Sequence, residues 1–278
     1  MDKALFESLK AEVKNCGLFA KERQKDVKRH FKPDDSVVTE TDLEISKKLT
    51  AKIRSLFPDC NIIDEEAKGL GFNQDAPYTF IFDPIDGTDS YSQGLPTWCI
   101  GVGILNKERQ PVGSIVYAPN FGKCSEELFL WTEPDSTDVY VNGQKLVIAP
   151  EIMSAKDEPR QITTGSEILI QIDMSVVLPK IKAAPFNLKF KALGSSLLHI
   201  VSTVLFCSID ACVDPLCYVW DIAAAHAAIK KAGLDYQYYT GEEFVYDDFL
   251  LLKREKFPKP LVVGTEKGRK FLIAHLNP

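Results

Sequence analysis

The sequence predicts an α+β half followed by an α/β half, and two patterns support this. Over roughly the first 150 residues, two amphipathic helices precede a run of strands separated by turn residues. Beyond a polar segment flanked by Pro150 and Pro159, strands and helices alternate instead. The boundary is therefore placed there, giving a half at 1–150 and a half at 151–278.

Each element has its own signal. Leu5, Phe6, Leu9, Val13, Cys16 and Phe19 recur at helical spacing, predicting a helix over about 3–29. His30 to Asp35, with Pro33 among polar residues, reads as a loop. Leu43, Ile45, Leu49 and Ile53 give a second helix, about Thr41 to Leu56, which Phe57-Pro58-Asp59 ends. Asn61-Ile62-Ile63 is a short strand, and Tyr78 to Phe82 is a buried one. Further strands are expected near 98–105, 112–118, 126–131 and 138–148. In the second half the expected order is strand 161–164, helix 195–206, strand 208–213, helix 221–232, strand 261–263 and helix 265–275. The region 165–190 gives no decisive pattern.

Composition narrows the function. A net charge of −6 argues against a nucleic-acid partner, which usually demands a basic excess. It also means that bound cations, rather than general surface charge, would have to attract an anionic substrate. Seven scattered cysteines with no CxxC pair do not form a disulfide framework, and the four histidines lack zinc-site spacing. With no apolar run long enough for a bilayer and no signal-peptide pattern, the expectation is a cytoplasmic protein without a membrane partner. His199, His226, Cys207, Cys212 and Cys217 lie in apolar contexts and read as packing residues.

Three acidic segments carry the chemistry. Asp83-Pro84-Ile85-Asp86-Gly87-Thr88 follows the most hydrophobic strand of the first half, so two carboxylates at a strand's exit can face one cavity. Hard divalent cations such as magnesium take such oxygen ligands, although Asp-Gly between apolar segments is equally a hairpin signal. Asp64-Glu65-Glu66 is delivered to the end of a short apolar strand, where it could also be a solvated loop. Asp221 opens a helix of small residues, a position that suits an N-cap as well as a ligand.

Taken together with Val38-Thr39-Glu40-Thr41-Asp42, the acidic pair Glu65-Glu66, the DPIDGT signature at 83–88 and WDIAAA at 220–225, the chain closely resembles the inositol monophosphatase family. Asn142 to Leu146 and Leu193-Gly194-Ser195-Ser196 add to the likeness, which covers about 30–275. The resemblance implies a layered α-β-α-β-α sandwich of the inositol monophosphatase and fructose-1,6-bisphosphatase type, with the site between the halves. It implies two to three Mg2+ ions, a small phosphorylated metabolite as substrate, lithium sensitivity and a homodimer. Residue by residue, Asp83 would bridge two ions. Glu65 and the Ile85 carbonyl would complete the first ion's shell, Asp86 and Asp221 would hold the second, and Glu65 would also stand near a third. The Gly87 and Thr88 amides would hold the phosphate at the mouth of a short helix. The Thr88 hydroxyl with Asp42 would orient the attacking water, with Glu65 also in the catalytic set. Asp214, Ser195 and Ser196 would touch the substrate, Asp214 through its hydroxyls.

A phosphate monoester repels anionic nucleophiles and has a poor leaving group; cations address both difficulties without a covalent nucleophile. Departures from the family's common pattern concern substrate rather than ligands: Asp64 and Ala67 flank the acidic pair in place of glycine and serine, and Asp89-Ser90-Tyr91 follows the signature. The expected activity is therefore hydrolysis of a polyol or sugar phosphate, with inositol 1-phosphate foremost. A 3'(2'),5'-bisphosphate nucleotidase and a fructose-1,6-bisphosphatase stand as alternatives, and a non-catalytic regulatory relative is the alternative from another class.

Overall fold

The computed structural model describes residues 1–33, 35–67, 71–122, 126–147, 160–164, 188–206, 209–214 and 217–276. Its chain divides into two compact units: Met1–Leu146 with Trp220–Ala228, and Val147–Val219 with Ile229–Pro278. The sequence reading put everything after 150 in one half, whereas the segment that carries Asp221 groups with the first unit. The expected boundary segment at 150–159 and most of the undecided region 165–190 lie outside the described residues, as does Cys207.

The first unit begins with α1 (Lys3–Arg23), capped by Asp2, whose side chain accepts from the amides of Ala4 and Leu5. It buries Phe6, Leu9, Val13, Cys16 and Ala20. The helix is shorter than the 3–29 predicted: its buried stripe ends at Ala20, and after a single 3-10 turn (Gln24–Asp26) the backbone becomes extended at Val27, which packs against the core in that conformation. The expected loop at His30 to Asp35 instead begins with β1 (His30–Phe31), which pairs antiparallel with β2 (Val37–Val38). Two-residue strands have no alternation to read.

Next come α2 (Glu40–Leu56), β3 (Asn61–Asp64) and β4 (Tyr78–Asp86). They are followed by α3 (Thr88–Ser92), β5 (Cys99–Asn106), β6 (Pro111–Ala118) and β7 (Leu128–Thr132). The strand expected at 138–148 is two short ones, β8 (Tyr140–Val141) and β9 (Gln144–Lys145). Asn142 and Gly143 separate them with φ of 50° and 81°, the left-handed pair that a tight hairpin requires.

These seven strands form one sheet in the order β3-β4-β5-β6-β7-β8-β9, antiparallel except for β3 beside β4. Phe80, Phe82, Val102 and Ile104 on one face join the cluster that holds the buried stripes of α1 and α2. Gly103 points the other way, where α5 (Trp220–Lys231) comes so close that a Cβ on Gly103 would lie 2.4 Å from the Ala223 carbonyl. With both faces covered, β4 reads as a continuous apolar run rather than an alternating one.

The second unit has a five-stranded mixed sheet in the order β11-β10-β12-β14-β13. Its strands are β10 (Arg160–Thr164), β11 (Leu188–Lys191), β12 (Ile209–Asp214), β13 (Asp235–Tyr238) and β14 (Leu261–Gly264). Strands β10, β11 and β12 are parallel, β14 runs antiparallel to β12, and β13 pairs antiparallel with β14 and so points the same way as the first three. Its helices are α4 (Ser196–Leu205), the short α6 (Asp248–Leu251) and α7 (Glu266–Leu276). The alternation expected of an α/β half is present. Strand β13 and helix α6, both only four residues long, are additions to it.

Candidate metal centre

The centre is built where β4 ends. In a regular strand, residues three apart point to opposite faces, so Asp83 and Asp86 would diverge. Here the β4–β5 register shifts between them, at the proline that has no amide to give the ladder. As a result, one carboxylate oxygen from each of Asp83, Asp86 and Asp221 lies within 4.8 Å of the other two. Asp221 comes from the first turn of α5 and is partly exposed, while Asp83 and Asp86 are buried. Asp86-Gly87 is not a hairpin turn. Gly87, at φ 90°, caps α3, and its carbonyl accepts from the Tyr91 amide at 2.9 Å.

Thr88 opens α3 with its hydroxyl 2.8 Å from the Ile85 carbonyl and 3.1 Å from Asp42 Oδ1. Asp42 is set by a capping box at the start of α2: the Thr39 side chain accepts from the Asp42 amide, and Asp42 Oδ2 accepts from the Thr39 amide at 3.0 Å and from its hydroxyl. A T-x-x-D pattern in the sequence could have announced this. Glu65 lies outside the three-carboxylate group: Lys32 Nζ sits 2.6 Å from its Oε1 and 2.7 Å from Glu66 Oε1. Lys32 was missed because a lone lysine in a polar turn gives no signal. Cys99, the cross-strand partner of Asp86, was read only as a scattered cysteine; its thiol lies 3.6 Å from Asp86 Oδ2.

Electrostatics fit a cation here. Burial pushes the Asp83 carboxyl well above the usual carboxylate range, and the charges of Glu65, Asp86, Asp221 and Asp42 push the same way. Burial likewise raises Asp42 to about 6, against the hydrogen bonds from Thr39 that favour its charged form. Glu66 is raised to about 7 by burial and by Glu65, with Lys32 opposing. Burial works against the charge of Lys32, but its two glutamate partners outweigh it and raise the ammonium's pKa. A donor set of closely spaced carboxylate oxygens suits a hard divalent ion such as Mg2+.

The remaining expected site residues belong to the second unit. Asp214 is the last residue of β12 rather than part of the following loop, and it is 1% exposed. Its Oδ2 accepts from the Cys212 thiol at 3.5 Å. Ser195 caps α4, its hydroxyl accepting from the Leu198 amide at 3.1 Å, and Ser196 is the first residue of that helix. His199 is a packing residue, its Nε2 accepting from the Leu193 amide and its pKa lowered to about 4 by burial.

A carboxylate cluster at a strand's exit, beside a glycine-capped helix, is a candidate hard-cation centre in the first unit. The model of the inositol monophosphatase family matches residues 3–265, and the chain belongs to that family. Inositol monophosphatase 1 of Bos taurus is 26% identical over 212 residues, 71% of this chain and 69% of the relative. The 3'(2'),5'-bisphosphate nucleotidase CysQ of Aggregatibacter actinomycetemcomitans is 28% identical over 252 residues, 84% of this chain and 87% of the relative. Among solved structures, an IMPase of Thermotoga maritima matches with a TM-score of 0.78 at 24% identity, over 100% of this chain and 97% of that one. The fold is therefore of the inositol monophosphatase type, as expected. The relatives' names include inositol monophosphatase, fructose-1,6-bisphosphatase/inositol-1-monophosphatase, bisphosphate nucleotidase and the Nus factor SuhB, so they span more than one substrate and more than one role. Among the described residues, no helix is long and apolar enough to cross a membrane.

Proposed function

We propose that this chain is a magnesium-dependent phosphatase that hydrolyses the phosphate monoester of a small polyol or sugar, with inositol 1-phosphate as the preferred substrate. The observation that carries this reading is the approach of the Asp83, Asp86 and Asp221 oxygens within 4.8 Å of one another, beside the Gly87 cap. These three residues and the Ile85 carbonyl would hold the ions, two or three in number, with Glu65 joining them. Bound magnesium supplies positive charge that polarises the phosphate and acidifies water.

The chain's own groups do the rest. The Gly87 and Thr88 amides hold phosphate oxygens, as helix N-termini do. The Thr88 oxygen accepts a hydrogen bond from the incoming water; its own O–H has the Ile85 carbonyl at 2.8 Å and Asp42 Oδ1 at 3.1 Å as acceptors, and turns to Asp42 when the Ile85 carbonyl is engaged elsewhere. Asp42, raised to about 6, is ionised at neutral pH and basic enough to hold the proton. Asp214, Ser195 and Ser196 keep the role of substrate contacts in this proposal.

One observation favours a second reading: the nucleotidase relative covers 84% of the chain. Asp89-Ser90-Tyr91 after the signature points away from it, since nucleotidases of this kind often carry Lys-Glu-Phe there. A non-catalytic role would sit poorly with Glu65, Asp83, Asp86, Thr88 and Asp221 all being present. The test is phosphate release from inositol 1-phosphate, fructose 1,6-bisphosphate and adenosine 3',5'-bisphosphate, each with Mg2+, with Mg2+ plus Li+, and with chelator. Release from inositol 1-phosphate that requires Mg2+ is expected, with inhibition by Li+. Preference for the nucleotide would establish the second reading, and no release from any substrate would overturn both.

A further inference from the structure

We infer that Asp64 is a positioning residue that fixes Glu65 and Glu66 against the helix carrying Asp42. Resting on the reading that the neighbouring carboxylates bind a divalent metal, this adds a residue outside the proposed ligand set. Asp64 ends β3 and is fully buried, at 0% exposure. Its Oδ2 accepts from the Ser46 hydroxyl and, at 3.4 Å, from the Thr50 hydroxyl. Its Oδ1 accepts from the Glu66 amide at 3.0 Å.

These bonds connect two parts of the centre. Asp42, Ser46 and Thr50 are spaced four apart on α2 and so form one stripe on its surface. The top of the stripe meets Thr88, and the rest meets Asp64. On the strand side, the β3–β4 ladder continues one step further, with the Glu65 amide donating to the Phe82 carbonyl at 3.3 Å. The Asp64 carboxylate then captures the next amide and turns the chain, an Asx turn that sends Glu65 and Glu66 toward Lys32. One helix face thus sets both Asp42 and the acidic pair.

Burying a carboxylate beside other acids is costly unless donors surround it. A residue kept there only to join β3 to α2 could be apolar. The glycine that the family resemblance places at this position could make none of the three bonds. This chain therefore fixes its acidic pair through a buried side chain.

The experiment measures Mn2+ binding by the whole protein from the EPR signal of the uncomplexed ion, and Mg2+ activation of hydrolysis alongside it. Asp64→Ala is expected to weaken Mn2+ binding about ten- to a hundredfold, the usual effect of removing a group that orients metal ligands. It should also raise the Mg2+ needed for half activation while leaving kcat at saturating Mg2+ within about threefold of the unaltered protein. Asp64→Asn keeps an acceptor for the Glu66 amide and should bind Mn2+ within about threefold of the unaltered protein. Thr50→Val, which removes one donor and folds more readily, should weaken binding about two- to fivefold. Unchanged Mn2+ affinity in Asp64→Ala, or in Thr50→Val if Asp64→Ala does not fold, overturns the inference alone. Absence of Mn2+ binding by the unaltered protein overturns the metal reading beneath it.

Discussion

Each unit buries an aspartate near the end of a sheet strand, and their surroundings are opposite. In the first, Asp83 sits among Glu65, Asp86, Asp221 and Asp42, whose charges add to burial in driving its pKa up. In the second, Asp214 has the thiol of Cys212 3.5 Å away and the buried Tyr236 hydroxyl nearby. Burial raises the pKa of Tyr236 far above the usual phenol range, so it stays protonated and neutral. An acid among neutral donors can remain charged without help. An acid among acids cannot, since two like charges about 4 Å apart cost about 4 kcal/mol at an effective dielectric near 20. Residue type and burial are the same in both; among the described residues, it is Asp83 that has further carboxylates converging on it.

The sharpest way to break that comparison is to neutralise each acid in turn. Asp86→Asn and Asp221→Asn keep side-chain shape but remove ligand charge, and each should lower Mg2+-dependent turnover at least about a hundredfold with the fold retained. Circular dichroism checks the fold and phosphate release checks the turnover. Glu66→Gln should be mild, because Glu66 is held by Lys32 rather than among the three converging carboxylates. Asp214→Asn should leave metal affinity unchanged. Equal effects at all four positions would remove the distinction between the two buried acids.

Adding the cation tests the same contrast through stability. Mg2+ at about a hundred times its dissociation constant should add about 2.7 kcal/mol to the folded state by mass action. For a chain of this size that corresponds to a rise in Tm of about 5–10 °C. Differential scanning fluorimetry with Mg2+ and with chelator measures it, and the rise should vanish in Asp86→Asn. An equal rise in that variant would place the stabilising ion elsewhere.

The legible parts of the molecule are those where local pattern and tertiary demand agree. The buried faces of α1 and α2 and the apolar run of β4 were readable because each burial pattern is carried by the element's own residues. The extent of α1 and the β1–β2 hairpin were not, because they depend on where packing stops and on pairs of only two residues, whereas the split at Asn142-Gly143 carries its own hairpin signal, which the expected strand 138–148 ran across. In the site, Asp83, Asp86 and Asp221 were named from the sequence and do converge. That convergence needs the β4 irregularity, which periodicity alone would have denied. Lys32 and the bonds from Asp64 to Ser46 and Thr50 were invisible because they arise from contacts across sequence separations of 14 to 34 residues.

The smallest effect expected is a pH dependence of the metal-free protein. Burial, partly offset by the Thr39 hydrogen bonds, raises Asp42 from 3.8 to about 6 in the folded state. Between those values the native protein therefore holds a proton that the unfolded chain has released. Folding takes up protons in that window, so stability must fall as pH rises through it, by at most about 1.4 kcal/mol per pH unit for one group. Glu66, raised from 4.5 to about 7, extends the decline toward neutrality, by less because it is partly solvated. Mg2+ favours the charged carboxylates and should flatten the slope, so the gap in Tm between Mg2+ and chelator should be wider at pH 8 than at pH 5. Asp42→Asn removes the first contribution and should narrow the gap at pH 8 without abolishing it. A gap that is the same at both pH values, or widest at pH 5, would mean that these acids are already charged in the metal-free fold, and the contrast with Asp214 would then rest on geometry alone.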